Sequence, residues 1–67
     1  MLSARNQFKG KVKSVKTGAV MAEVLVGVGE LEFVSIISAH SVESLGIKAG
    51  DAVTVVVKAT EVMVAKP

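Results

Sequence analysis

The chain reads as all-β, a small five-stranded barrel with one short helical turn. Three observations point that way. Its apolar content is dominated by valine, a β-branched residue that fits a pleated surface. The single proline is the last residue, Pro67, so no proline interrupts a strand ladder. Glycine-containing turns separate the apolar runs.

The first strand is expected over residues 7–16, where Lys9, Lys11 and Lys13 alternate with Phe8, Gly10 and Val12. The apolar parity breaks at Val15, which calls for a bulge or a strong twist there. Thr17-Gly18 turns the chain into a second strand over 20–26. Val20, Ala22, Val24 and Val26 share one face of it, opposite Met21, Glu23 and Leu25. After Gly27-Val28-Gly29, a third strand over 31–38 sets Leu31, Phe33 and Ile37 against Val34 and Ile36. Apolar residues on both faces mean that one packs the core and the other meets a neighbour.

Residues 41–46 read as one helical turn, with Ser41 as N-cap, Glu43 at the positive end and Gly46 as terminator. Lys48-Ala49-Gly50-Asp51 turns into a fourth strand over 52–58, and a fifth covers 61–65. Five strands with a helical connection before the fourth fit a partly open barrel of the oligonucleotide/oligosaccharide-binding type. An SH3-like barrel is the nearest alternative.

At 67 residues this is one expected domain, 1–67. A chain of this size buries only about 60% of its unfolded surface and ordinarily needs a staple. With no cysteine, disulfides and thiolate metal sites are excluded, and a single histidine argues against structural zinc. The remaining staple is a partner subunit. A 51% hydrophobic composition supports it, being more apolar material than one small core consumes. No apolar run approaches the 18 or so residues of a membrane span, and no signal-peptide pattern opens the sequence, so a cytoplasmic protein is expected.

The chemical groups point to anion binding rather than catalysis. An arginine near a terminus is ordinarily just solvated, but the Arg5 fork also suits an oxyanion, and extended backbone puts the Ser3 hydroxyl on the same side. Lys58 closes an apolar run, where a cation wants an anionic partner, although edge strands also carry lysines as gatekeepers. Thr60 would donate from the same side of an extended strand. Ser38, Ser41 and Ser44 surround the helical turn. His40 has no second histidine or triad partner, and the six carboxylates show no metal-ligand spacing, so an enzyme is not expected. The alternative function is a single-stranded nucleic-acid-binding module using Lys9, Lys11, Lys13 and Lys16. Such sites need stacking aromatics, and this chain has no Trp, no Tyr and two Phe spaced like core positions.

Ser3-Ala4-Arg5-Asn6-Gln7 with Gly10 and Val12, Lys16-Thr17-Gly18-Ala19-Val20, Ile36-Ile37-Ser38, residues 41–46, Gly50-Asp51 and residues 57–63 resemble, in order and over nearly the whole chain, the molybdenum-pterin-binding family. This is the Mop or molbindin group of TOBE-like molybdate-binding domains. The resemblance implies a free-standing single-domain member that binds molybdate or tungstate for storage and homeostasis. No organic cofactor is implied, and metal arrives only as the oxyanion. It further implies a homo-oligomer, a hexamer built as a trimer of dimers. One anion site would join Ser3, Arg5 and Lys58 of one chain, and main-chain N–H groups near Ala4 and Ala59, to Ser41 of another. A second class of site near the three-fold axis would involve Gly18, Ala19 and Val20. Two departures bear on that second site: Met21 stands where some relatives carry a polar residue, and the 27–30 turn is short.

Overall fold

The structure, a computed structural model, describes residues 4–67. Four strands form one antiparallel sheet: β1 (Asn6–Thr17), β2 (Met21–Val28), β3 (Leu31–Ser38) and β4 (Ala52–Val57), in the spatial order β3-β2-β1-β4. One helix, α1 (Ala39–Leu45), connects β3 to β4. The predicted all-β character, the helical connection and the first four strands are present. The fifth strand is not. Ala59–Glu61 forms a 3-10 turn, and residues 62–67 join no ladder. Among the described residues β3 and β4 remain the two edges, so the sheet is not closed into a barrel. Val62 has extended backbone angles (φ −85°, ψ 119°) and lacks only a neighbouring strand to pair with.

Long β1 organises the sheet. Its first half pairs with β4, from Asn6↔Val57 to Lys11↔Ala52, and its second half pairs with β2, from Lys11↔Gly27 to Thr17↔Ala22. The register shifts between Val12 and Ser14, slightly before the predicted position. This bulge at Lys13 resolves the parity conflict, because it turns both Val12 and Val15 toward the core. Gly10 is required where the strands cross: a Cβ there would lie 2.4 Å from Gly27 O and 2.8 Å from a Val28 methyl. The β2–β3 hairpin closes through Gly29-Glu30 alone, so Gly27 and Val28 belong to β2 rather than to the turn. Gly29 takes φ +57°.

Val12, Ala22, Val24, Val26 and Val42 form the buried core, with Phe33, Ile37, Ile47, Val53 and Val55 packed against it. Val20, expected beside them, lies outside β2 and is exposed, as is Leu31 at the start of β3. The other face of β3 leaves Val34 and Ile36 61% and 59% exposed, and Met63 and Val64 in the C-terminal segment exceed 90%. Among the described residues, five buried core side chains beside this much uncovered valine and isoleucine is the pattern expected of a subunit, since apolar patches of this kind mark interaction surfaces.

The helix starts earlier than the sequence indicated. Ser38, not Ser41, is the N-cap: its Oγ accepts from the Ser41 N–H at 3.0 Å and donates to Ser41 Oγ at 2.7 Å. Glu43 consequently falls beyond the first turn. The earlier start arises because the chain leaves β3 directly into the helix, with Ala39 N–H donating to Val20 O at 2.8 Å. Gly46 terminates the helix in the left-handed conformation, φ +64°, as predicted.

Candidate functional site

The antiparallel pairing of β1 with β4 brings together two segments from opposite ends of the sequence. Asn6 pairs with Val57, so the residues just before β1 meet those just after β4. Ala4, Arg5, Asn6, Lys58, Ala59 and Thr60 line one open pocket at that corner. Four of the six residues predicted for the principal site, Ala4, Arg5, Lys58 and Ala59, therefore share it. Ser3 lies outside the described residues. Ser41 is not part of the pocket lining; it sits half-buried on α1, tied to Ser38.

Each segment is shaped locally. Ahead of β1, Gln7 N–H donates to Arg5 O at 3.1 Å, a tight three-residue turn. After β4, Lys58 caps the 3-10 turn with its backbone, and Glu61 N–H donates to Lys58 O at 2.9 Å. Val62 N–H follows, to Ala59 O at 3.3 Å. The first N–H groups of a helical turn, here those of Ala59 and Thr60, have no acceptor within it. Lys58 is exposed in the single chain rather than buried, because the sheet ends beside it. Thr60 lies in the pocket as expected, but through the 3-10 turn and not along an extended strand.

Asn6 was the residue that sequence reasoning left without a role. Its side chain donates from Nδ2 to Val57 O at 3.2 Å and is half-buried in the pocket wall. An Asn at the opening of a strand is the available signal, but its partner 51 residues away is known only once the register is known.

This corner carries residue types that bind anions. Arg5 and Lys58 line the same open pocket as Thr60 and the start of the 3-10 turn, with no Asp or Glu among the lining residues. Charge-assisted hydrogen bonds to oxyanions are the strong interactions such a set can make.

The Gly18, Ala19 and Val20 turn joins the other end of the molecule to α1. Gly18 N–H donates to Met21 O at 2.8 Å, and Val20 O accepts the Ala39 N–H. The exposed lysine row on β1 does not assemble a stacking platform. Lys13 is paired with Glu32, and Phe8 packs on Phe33 with ring centroids 5.1 Å apart. Among the described residues no three His, Cys, Asp or Glu side chains gather.

The TOBE domain model matches residues 2–64. Molybdenum-pterin-binding protein 2 of Clostridium pasteurianum is 53% identical over 64 residues, covering 94% of each chain. Among solved structures, MopII from Clostridium pasteurianum superposes with a TM-score of 0.93 at 51% identity, over 98% of this chain and 100% of that one. A molybdate-binding protein from Sporomusa ovata gives 0.94 at 39% identity, over 98% of both chains. With the domain model matched over nearly its whole length and close relatives and folds beside it, this chain belongs to the TOBE-domain family of molybdenum-pterin-binding proteins.

Proposed function

We infer that this protein binds molybdate and tungstate as intact oxyanions, for storage and homeostasis in the cytoplasm, and that residues 1–67 act as one domain. It is not an enzyme: the family binds oxyanions without converting them. The observation that carries the reading is the convergence of Arg5 and Lys58 on one pocket through the β1–β4 register. The relatives' names supply the ligand class, since one solved neighbour is a molybdate-binding protein.

A tetrahedral dianion offers four oxygens. Arg5 engages two with its planar fork, Lys58 supplies a point charge, and N–H groups near Ala4 and Ala59 fill remaining directions. Each charge-assisted bond contributes ~1.5–3 kcal/mol. Selectivity over sulfate comes from cavity size and donor placement.

The chain works as a homo-oligomer, in our reading a hexamer arranged as a trimer of dimers. Exposed Val34, Ile36, Met63 and Val64 provide the surfaces it covers. Assembly brings Ser41 of a neighbouring chain to the Ser3, Arg5 and Lys58 of the first. A second anion site lies around Gly18, Ala19 and Val20 near the three-fold axis.

Calorimetric titration of anion-free protein with molybdate tests the reading. Saturable binding is expected, and Lys58→Ala should weaken it roughly ten- to a hundredfold, the worth of one charged hydrogen bond, while the oligomer mass is retained. A flat trace from the unaltered protein would refute it. An unchanged affinity in the variant would make Lys58 a mere edge-strand charge.

A further inference from the structure

Asn6 lines the pocket at the β1–β4 corner and Gln7 follows it in β1 outside the lining, and the side-chain amide of each holds a particular carbonyl. Asn6 Nδ2 donates to Val57 O at 3.2 Å, and Gln7 Nε2 donates to Ala4 O at 2.6 Å. Those carbonyls belong to the peptide units immediately preceding Lys58 and Arg5. Two adjacent residues of β1 thus hold, one each, the two peptide planes that lead into the two cations. A peptide unit is planar and trans, so fixing its C=O fixes the opposed N–H of the following residue. It also engages lone pairs that would otherwise repel an anion bound nearby.

We propose that Asn6 and Gln7 are positioning residues for the oxyanion pocket: by holding the Val57 and Ala4 carbonyls they set the peptide planes from which Lys58 and Arg5 project, and so set affinity and selectivity. The proposal rests on the oxyanion-binding reading above. Ordering the donors before the ligand arrives lowers the cost of binding, and fixed dipoles aimed at a charge outperform ones that must reorganise. Asn6 is the stronger of the pair, because it is half-buried and ties two segments distant in sequence, whereas Gln7 is exposed and acts locally.

Full-length Asn6→Ala, Lys58→Ala, the double variant and Val53→Ala should be titrated with molybdate and with sulfate. Oligomer mass and thermal midpoint are recorded for each. Val53 lies on β4, packed on the core and outside the pocket, and serves as the control for lost stability. Asn6→Ala should weaken molybdate roughly three- to tenfold, the net worth of one neutral hydrogen bond, and reduce the molybdate-to-sulfate ratio. Its effect should shrink when Lys58 is already alanine, since residues acting through one another are not additive. Val53→Ala should lower the midpoint without changing the ratio. If the unaltered protein binds and Lys58→Ala weakens it, but Asn6→Ala matches the unaltered protein or adds independently to Lys58→Ala, the positioning role is overturned and the binding site stands. An equal change of ratio in Val53→Ala also overturns it. If the unaltered protein binds no molybdate, the site and the positioning role fall together.

Discussion

Arg5 and Lys58 stand out in the sequence because their charge is intrinsic to the side chain, and the structure brings both to one pocket. Ser41 was misread as the helix cap because the N-cap position depends on where β3 releases the chain, and Ser38 and Ser41 carry the same hydroxyl. Asn6 was silent for a different reason, since its partner is a main-chain oxygen that the sequence does not mark. Gly10 offers a test at this scale. A methyl group there would meet the Gly27 carbonyl, which is backbone and cannot swing aside. Gly10→Ala should destabilise by ~1–3 kcal/mol, the usual cost of forcing an extra carbon into a packed site. Thermal unfolding at matched protein concentration would show it, and an unchanged midpoint would mean that β1 and β2 separate easily at their crossing.

Four strands were readable from valine runs and glycine turns because strands of this kind are determined by local alternation. The bulge was readable in kind, from the broken parity before Val15, though its position at Lys13 needed the register with β2. The fifth strand failed instructively. Val62 and Val64 alternate with Met63 as a strand should, yet pairing is a property of two segments, and residues 62–67 join no ladder although β3 and β4 keep free edges. Helix α1 is held at both ends by identifiable devices, the Ser38 cap and the left-handed Gly46. Ser38→Ala removes the acceptor for the Ser41 N–H and should cost about 1 kcal/mol of stability. Circular-dichroism melts at equal concentration are the check, and a gain in stability would show that the cap contributes nothing.

As a whole, the subunit presents an incomplete object. Among the described residues its core is five side chains, Val34 and Ile36 on β3 and Met63 and Val64 in the C-terminal segment are exposed, and its basic corner is an open pocket. Assembly and ligand binding are, in this reading, one solution to both deficits, because a second subunit buries the apolar surface and closes the pocket with its own groups. Stability and occupancy should therefore be linked: a ligand that binds only the assembled form stabilises it by mass action. The most direct measurement is anomalous X-ray diffraction at the molybdenum absorption edge from crystals grown with molybdate. Expected is a molybdenum peak with its oxygens within hydrogen-bond reach of Arg5 and Lys58 of one subunit and Ser41 of the next. Molybdenum found only elsewhere, or bound at this corner within a lone subunit, would contradict it.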